Sequence, residues 1–534
     1  MASSSGKPPA EEKLATVTIQ AQDQFDPEKG QDGGDSPRDD QQQQKEHDEG
    51  GNSTDEHHSE DKPDDGLVRW DGPDDPENPR NWTKRRKWIT IICVSCFTLI
   101  SPVASSIVAP GLPAIAKDLH ITQSIEQALA LSVFVAAYAL GPVVWGPLSE
   151  FYGRAIIIQV SNVWFLLFNL GCGLARNKQQ MFAFRFLAGI GGSAPMAIGA
   201  GVVGDLFTAE ERGSAIGIYS MAPVLGPALG PLAGGWIVQR VSWRWVFFAS
   251  TIACGAVQAA GLLFLRETFA PVVLGRKRDR IARETGIASA ALRTELDLAG
   301  KTRRQTLLIA LTRPFRMLAT QPIVQLLSLY MMYIYGLIYL VLSTFASLWA
   351  TEYGEASGID GLNYLSIGLG FLAGAQVTAP LQDRIYAALK RRYAPDGGPG
   401  RPEFRVPLLV PSAVLLPAGL LVYSWTAQAH THWIWPNVGA FVFSAALIVA
   451  FQCVQAYLVD AYTRYAASAV GVVTILRSLA GFGFPLFAPA MYDRLGYGKG
   501  GTILAAIAIA IGWPSPILLW IYGERLRAAG QFST

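Results

Sequence analysis

The sequence has 534 residues, of which half are hydrophobic and only 16% are charged, well below the quarter that is usual in soluble domains. This composition excludes a string of soluble domains and indicates a chain that crosses a membrane many times. The net charge of +2 hides an asymmetry, because the first 80 residues hold 8 basic and 22 acidic side chains and the remainder holds 36 basic and 20 acidic. Most basic residues of the remainder lie in loops between apolar runs, where they suit anionic lipid headgroups, and no nucleic-acid partner is expected.

Residues 1–84 are predicted to form a disordered, acidic, cytosolic tail. They are low in complexity, with a glutamine run at 41–44 among Asp, Glu, His, Gly and Pro, and such a composition cannot bury a core. The tail histidines are interpreted as solvated side chains rather than metal ligands. The basic cluster Lys84–Lys87 ends the tail and, by the positive-inside rule, places the N-terminus in the cytosol.

Twelve apolar runs follow, each close to the roughly 20 residues that cross a hydrocarbon core. They lie at about 88–110, 124–146, 155–175, 180–203, 213–238, 245–266, 322–347, 362–388, 406–426, 435–459, 467–490 and 500–522. This pattern predicts an all-α polytopic membrane protein with two six-helix halves, residues 85–266 and 321–523. A cytosolic loop at 267–320 connects the halves, and a cytosolic tail at 524–534 ends the chain.

The distribution of basic residues supports this topology. They are concentrated in the central loop and after span eight, at Lys390–Arg392, whereas segments 348–361 and 427–434 contain none. Both termini and the central loop are therefore predicted to face the cytosol.

A polar stretch, Gly146–Arg154, separates spans two and three. A glycine at the end of a span lets the helix approach its neighbour closely, and Glu150 and Arg154 are four residues apart, so they would pair if the turn is helical. Asp205, at the end of span four, is a second acid for Arg154. We interpret Gly146, Glu150, Gly153, Arg154 and Asp205 as a conformational latch, the alternative being ordinary charge at the membrane surface.

The second half echoes this stretch after span eight. Pro380–Asp383 repeats the spacing of Pro147–Glu150, and Arg384 follows. Repeated halves with a long connector are typical of transporters. Asp383 and Arg384 are therefore predicted to form the latch of the second half.

Two arginines lie inside predicted spans. Arg185 is in span four, among phenylalanines, and Arg477 is deeper, in span eleven. A charge within a membrane costs several kcal/mol, so each is expected to face a cavity or a partner. The alternatives are snorkelling to the surface for Arg185 and a structural pairing with a carbonyl for Arg477.

Span five combines two repeats of four residues. Gly226, Gly230 and Gly234 share one helix face, which favours close packing of membrane helices. Pro227 and Pro231 have the same spacing and should stiffen or kink the helix. With Gly235 they predict a rigid helix at the interface between the halves that blocks proton leak, the alternative being plain helix packing.

These stretches resemble motifs of the major facilitator superfamily. The spacing of Gly146–Arg154 resembles the signature loop of that superfamily, and Arg185–Pro195 resembles its arginine-bearing proton-coupling motif. Gly226–Gly235 resembles the antiporter motif of drug:proton exchangers. Leu458–Tyr462, with Leu476–Ser478, looks like the fungal branch of twelve-span drug:proton antiporters.

The resemblance covers about residues 80–525, and it departs from the pattern at Ala155, where many members carry a second basic residue. It implies a central cavity lined by spans one, four, seven and ten. The cavity candidates on spans seven and ten are Gln325, Tyr335, Tyr339, Gln452 and Gln455. Tyr330 and Tyr333 are interpreted instead as an interfacial aromatic belt.

The resemblance implies proton-coupled efflux, by alternating access, of a lipophilic or amphipathic drug, toxin or secondary metabolite. The alternatives are a symporter that imports a nutrient or organic acid and, from another class, a transport-inactive membrane sensor. The candidate proton carriers are Glu150, Asp205, Asp460 or another carboxyl that folding brings inward. No P-loop or nucleophile–base pair is present in the sequence, so neither an enzyme nor ATP-driven export is expected.

The expected partners are a small-molecule substrate, protons and the lipid bilayer, and a monomer is expected. No cofactor and no metal are predicted, because Cys93 and Cys96 form a C-x-x-C inside an apolar run, where packing is favoured over metal chemistry. The predicted location is the cell membrane, and the alternative is a vacuolar or other internal membrane.

Overall fold

The computed structural model describes residues 67–207, 212–286, 288, 292–295, 303–355, 357–393, 400–462 and 465–530. Its helices are α1 (Lys84–Ser106), α2 (Leu112–Asp118), α3 (Ser124–Tyr152), α4 (Arg154–Gly173), α5 (Lys178–Leu206), α6 (Arg212–Arg240), α7 (Arg244–Phe264), α8 (Ala270–Thr285), α9 (Arg303–Thr320), α10 (Pro322–Glu352), α11 (Ser357–Tyr393), α12 (Leu409–Gln428), α13 (Ile434–Ala461), α14 (Ala466–Gly512) and α15 (Pro514–Ala528). Strands β1 (Leu67–Val68) and β2 (Arg293–Thr294) pair in parallel.

Eleven helical segments of the described chain are long and apolar enough to cross a membrane. Ten correspond to single predicted spans, whereas the eleventh, Ser468–Ala528, has 61 residues. At 1.5 Å per residue this run measures about 90 Å, three times the thickness of a hydrocarbon core. The backbone leaves the helical conformation at Gly496 (φ 73°, ψ 167°), which divides α14 into two arms. The arms are separate crossings, so the prediction of twelve spans is confirmed.

The helices pack as two groups that meet along two helix pairs. In the first group α1 packs on α6, α3 on α5, and α4 on both α5 and α7. In the second group α10 packs on α14, and α13 packs on both α11 and α12. The groups meet where α3 packs on α14 and where α6 packs on α11. Spans two and eleven, and spans five and eight, therefore form the contact between the halves.

The buried apolar core differs between the two ends of the bundle. One cluster contains residues of both halves, among them Ile107 and Leu112 of the first half and Leu342 and Phe345 of the second. A second cluster, which includes Val202, contains residues of the first half alone. Apolar packing therefore joins the halves at the end where α1 and α10 finish.

Residues 1–66 of the predicted tail lie outside the described residues, but the last part of that tail is ordered. β1 pairs with β2 of the central loop, and the Lys277 ammonium in α8 lies 2.5 Å from an Asp71 oxygen and 3.1 Å from an Asp75 oxygen. Burial opposes ionisation of Asp75, but the backbone amides of Asp71 and Glu77 and the Lys277 ammonium hold its pKa below the ordinary value. The disorder predicted up to residue 84 is thus wrong for residues 67–83, because ion pairs to a distant loop and the burial of Val68 and Trp82 in apolar clusters hold them in place.

Candidate functional site

Arg185 is completely buried in α5, which excludes snorkelling to the membrane surface. Its guanidinium donates to the carbonyls of Ala104 at 2.9 Å and Ser105 at 3.2 Å, in the last turn of α1. It also donates to the carbonyls of Ala130 at 3.1 Å and Leu131 at 3.2 Å, in α3. Helix-end carbonyls lack intrahelical donors, so a cation there completes their hydrogen bonding and opposes the helix dipole. Arg185 therefore ties three helices of the first half together.

Arg477, in the first arm of α14, is surrounded differently. Its side chain is only 8% exposed, and its Nε has no hydrogen-bond partner among the described residues. Its guanidinium carbon lies 4.9 Å from the ring centroid of Tyr335 on α10 and 4.9 Å from that of Phe451 on α13. Aromatic faces attract a cation but accept no in-plane hydrogen bonds from it. The pairing with a carbonyl considered for Arg477 is not present among these contacts.

A chain of contacts links the two arginines across the halves. The rings of Tyr335 and Tyr339 are 5.1 Å apart, and the Tyr339 hydroxyl lies 3.4 Å from the Ser105 Oγ. The carbonyl of Ser105 accepts one of the hydrogen bonds from Arg185. The predicted cavity residues Tyr335 and Tyr339 therefore lie between the two buried charges.

Of the three glutamines predicted to line the cavity, one lies away from the tyrosines and the buried arginines. Gln325 is exposed in the first turn of α10 and donates to the carbonyls of Leu318 at 2.8 Å and Ala319 at 3.3 Å, which end α9. Its assignment to the cavity is wrong, because it satisfies the end of the preceding helix. Gln452 and Gln455 are half-buried in α13, and Gln455 is one turn beyond Phe451, on the same helix face.

The assignment of two further tyrosines to an interfacial belt is also wrong. Tyr330 is 2% exposed and Tyr333 is 5% exposed, and both belong to the buried cluster that joins the halves. The Tyr333 hydroxyl donates to the carbonyl of Leu504 in the second arm of α14. These tyrosines contribute to the packing of α10 on α14 inside the second half.

The glycine face of α6 packs on α1, within the first half. A Cβ added at Gly226, Gly230 or Gly234 would lie 2.1–2.3 Å from Pro102, Ser106 or Ile107, respectively. The other side of α6 meets the second half, where a Cβ at Gly361 would lie 2.9 Å from the carbonyl of Pro231 and 3.5 Å from Gly235 Cα. Pro227 is half-buried one turn before Pro231. The helix thus makes close contacts with both halves, but the glycine repeat itself faces α1.

The turn between α3 and α4 depends on Gly153. Its φ of 103° lies in a region that L residues with side chains rarely adopt, and a Cβ there would lie 2.1 Å from a carboxylate oxygen of Glu267. That carboxylate, just after α7, accepts from the backbone amides of Arg154 at 2.8 Å and Ala155 at 3.3 Å. An acid at a helix N-terminus satisfies free amides and suits the helix dipole. Glu267 therefore caps α4.

The side chain of Arg154 faces Asp205 at the end of α5. Its Nε lies 3.4 Å from the Asp205 Oδ2, and its Nη1 donates to the Ser149 Oγ at 2.7 Å. Glu150 is exposed and has no ion pair with any described residue, so the predicted Glu150–Arg154 pair is wrong. The reason is that α3 ends at Tyr152 and the chain turns at Gly153, which places the two residues on different helices.

The first glycine of the stretch has no close neighbour. A Cβ added at Gly146 would meet nothing within 4 Å, so the expectation of a close helix approach there is wrong. Only Gly153 is required by the backbone in this turn.

The second half repeats the arrangement around Arg405, just before α12. Its Nε lies 2.8 Å from Asp460 in the last turn of α13, and its Nη1 lies 3.0 Å from Asp383 in α11. Arg384, the predicted base, is exposed and makes no ion pair with a described acid. Because α11 stays helical to Tyr393, Arg384 points about 100° away from Asp383. The prediction of Arg384 is wrong, and Arg405 takes the place that Arg154 has in the first half.

One buried acid was missed from the sequence. The helix α11 begins at Ser357, five residues before the predicted start of span eight, so Asp360 lies inside it. Asp360 is 3% exposed, and its Oδ1 has no hydrogen-bond partner among the described residues. A Gly-Ile-Asp-Gly sequence beside a span does not predict a buried acid. The burial of Asp360 depends on how the neighbouring helices pack.

Two six-helix groups that meet along two helix pairs, with a buried arginine in each group, define a polytopic membrane transporter. A family profile of the Major Facilitator Superfamily matches residues 94–485. The chain belongs to this superfamily, which is a family of transporters and not of enzymes.

Curated relatives support the same classification over nearly the full length. The chain is 47% identical over 471 residues to the efflux pump vrtL of Penicillium aethiopicum, covering 88% of this chain and 92% of that one. It is 41% identical over 473 residues to the efflux pump radE of Floropilus chiversii, covering 89% and 87%. The solved structure of the proton:xylose symporter XylE superposes with a TM-score of 0.61 at 14% identity, covering 84% of this chain and all of that one. The chain is therefore a multi-pass membrane transporter related to fungal efflux pumps.

Proposed function

We propose that the protein exports a small lipophilic or amphipathic organic molecule in exchange for protons. The observation that carries the proposal is the pair of equivalent ion clusters, Arg154 with Asp205 and Arg405 with Asp460. Each cluster joins the start of the third span of a half to the end of the fourth span. Two equivalent clusters of fixed charges suit two rigid halves that rock against each other, which is how transporters with repeated halves alternate access.

Export rather than import is supported by the relatives, since two of them are named efflux pumps. The resemblance of Gly226–Gly235 to the antiporter motif also supports antiport, and the close contacts of α6 with both halves suit a helix that limits proton leak. The substrate site is proposed at Tyr335, Tyr339 and Arg477, where side chains of both halves approach each other.

Proton carriage is proposed for three acids that the fold buries or pairs, Asp205, Asp460 and Asp360. Asp205 and Asp460 are each held by an arginine, so their protonation would weaken an ion cluster. Asp360 is buried with one oxygen unpartnered, and protonation would remove an uncompensated charge. Glu150 is exposed and forms no ion pair with a described residue, so its protonation would change no ion cluster. It is the weakest of these candidates.

The proposed location is the cell membrane, with both termini and the central loop in the cytosol. The basic start of α1 and the basic residues of α8 and α9 support this orientation. Lipid headgroups, protons and the exported molecule are the proposed partners of a monomeric transporter.

Transport into inside-out membrane vesicles tests the proposal. With an acidic interior, a panel of neutral, anionic and cationic lipophilic dyes should include at least one that accumulates, and a protonophore should abolish the accumulation. Arg405→Gln should slow this uptake, whereas Arg384→Gln, a matched change at an exposed and unpaired position, should leave it unchanged. Uptake that requires ATP and ignores the protonophore, or accumulation only in the opposite direction, would overturn proton-driven export.

A further inference from the structure

We propose that Arg477 is the residue that selects the substrate by charge, and that it binds the carboxylate or phenolate of an aromatic organic anion. The inference rests on the proposed function, since it assigns a chemical class to the molecule moved through the same site. It begins from the difference in how the two buried arginines are satisfied.

The charge of Arg185 is compensated by the protein itself. Four backbone carbonyls accept hydrogen bonds from its guanidinium, and the guanidinium carbon lies 4.6 Å from the ring centroid of Phe134. A ligand at Arg185 would have to displace these contacts. Arg185 is therefore a structural tie rather than a binding group.

The charge of Arg477 is not compensated in this way. No carboxylate of a described residue forms an ion pair with it, and it donates no hydrogen bond to a described residue. A buried cation without a counterion is costly, and its Nε–H group, buried without a partner among the described residues, loses the bond that it made to water. The site therefore favours a ligand that brings both a negative charge and hydrogen-bond acceptors.

The surroundings define the rest of the ligand. The rings of Tyr335 and Phe451 lie against the guanidinium carbon at 4.9 Å each, and the ring of Tyr339 continues the aromatic surface at 5.1 Å from Tyr335. Such a surface suits a flat aromatic body, while the planar N–H edge of arginine fits a carboxylate with two parallel hydrogen bonds. An aromatic anion matches both features, whereas a lipophilic cation would face an unpaired positive charge.

The ligand would also connect the halves. Tyr339 reaches Ser105 of the first half, so an anion held between Arg477 and the tyrosines lies close to the contact chain that ends at Arg185. Neutralising Arg477 would remove the cost of burying its charge. Binding of the anion would therefore favour the state in which the halves close around this site.

The experiment compares two probes with the same ring system, the anion anthracene-9-carboxylate and the neutral anthracene-9-carboxamide, with smaller naphthalene analogues of both. Their binding to the purified full-length protein in lipid nanodiscs is measured by ligand fluorescence. We expect the carboxylate to bind at least tenfold more tightly than the carboxamide. Arg477→Gln should reduce this preference to twofold or less, and Arg477→Lys should retain part of it, because it keeps the charge but not the planar fork.

The matched control is Arg494→Gln, which makes the same change of net charge at an exposed position of the same helix. It should retain the full preference for the carboxylate. Thermal melting of each variant shows whether it is folded, and Arg477→Lys keeps the test decisive if the glutamine variant fails to fold. Equal binding of the two probes to the unaltered protein, no binding of any probe, or a preference that survives Arg477→Gln would each overturn the proposal.

The outcome is separable from that of the vesicle experiment. Proton-driven export of a neutral or cationic dye, with no preference for the carboxylate, would retain the proposed function and overturn the role of Arg477. A preference for the carboxylate that depends on Arg477, without proton-driven movement of any dye, would retain the site and overturn proton-coupled export.

Discussion

The two halves of the molecule each bury an arginine, and they treat it in opposite ways. In the first half, Arg185 is saturated by backbone carbonyls of α1 and α3. In the second half, Arg477 has aromatic rings beside it and an Nε without a partner among the described residues. An arginine side chain thus stabilises helix packing in one half, whereas in the other half its charge remains available to a ligand. The difference teaches that burial of a charge in a membrane does not by itself identify a binding residue, because the decisive quantity is how many of its hydrogen bonds the protein already makes.

The largest expected effect is the difference in stability between variants of the two buried arginines, and it tests the comparison directly. Arg185→Met removes the donors for the carbonyls of Ala104 and Ser105, which end α1 and have no intrahelical donors. Each buried carbonyl left unpaired costs about 1–3 kcal/mol, so we expect a loss of about 3 kcal/mol or more. Arg477→Met removes an unpaired buried charge and should raise stability by about 1 kcal/mol or more. Thermal melting of both purified variants in one detergent measures the difference, and equal losses would contradict the comparison.

The next effect concerns the tight turn between α3 and α4 of the first half. Gly153→Ala forces a side chain into the positive-φ region and against Glu267, which should cost about 2 kcal/mol and loosen the start of α4. The control is Gly146→Ala in the same stretch, where a Cβ meets nothing within 4 Å and the helix should gain slightly. Melting temperatures and proteolysis of the α3–α4 turn report the result. A Gly146→Ala variant as damaged as Gly153→Ala would refute this account of the turn.

A smaller effect compares the ion clusters of the two halves. Asp205→Asn and Asp460→Asn each weaken a partly exposed ion pair at the end of a helix, and such pairs are worth up to ~1 kcal/mol, so transport should slow up to about fivefold. Glu150→Gln should leave the rate unchanged, because Glu150 is exposed and unpaired among the described residues. Initial rates of dye uptake in inside-out vesicles measure all three. A slower Glu150→Gln variant would restore the pairing expected from its spacing to Arg154.

The smallest expected effect sharpens the account of Arg477. Phe451→Leu removes one of the two rings beside the guanidinium and should weaken binding of the aromatic carboxylate about twofold, or ~0.5 kcal/mol. Tyr335→Phe keeps the ring and loses only the hydroxyl, so it should bind the carboxylate as the unaltered protein does. The same fluorescence titration serves both variants. If the hydroxyl proves to matter more than the ring, the ligand is held by hydrogen bonds at Tyr335 rather than by stacking.

The ion clusters show where sequence reasoning succeeds and where it stops. Arg154 and Asp205 were predicted as partners from their positions at the ends of two spans, and the structure brings them to 3.4 Å. In the second half, the sequence correctly indicates Asp383 as the acid of the equivalent ion cluster, but it predicts the neighbouring Arg384 as the basic partner. The actual base, Arg405, lies 22 residues after Asp383 along the chain. The repeat is conserved in space rather than in spacing along the chain, because the connection between α11 and α12 is longer than the turn between α3 and α4.

Glu267 illustrates a second limit. It lies 113 residues after Arg154, in a short Arg-Glu-Thr segment that reads as an ordinary end of a span. Only the folded bundle places its carboxylate over the first amides of α4. The glycine repeat of span five is the opposite case, since its close packing was readable from spacing, although the helix that it packs on was not.

The sequence by itself determined the number of spans, their division into two halves and the superfamily, because the length and polarity of an apolar run are local properties that the bilayer reads directly. It also identified both buried arginines as exceptional. Only the tertiary structure decided which arginine is satisfied and which remains available. Hydrogen-bond partners come from other helices, so they depend on how the helices cross and where each one ends, and these properties arise from the packing of the whole bundle.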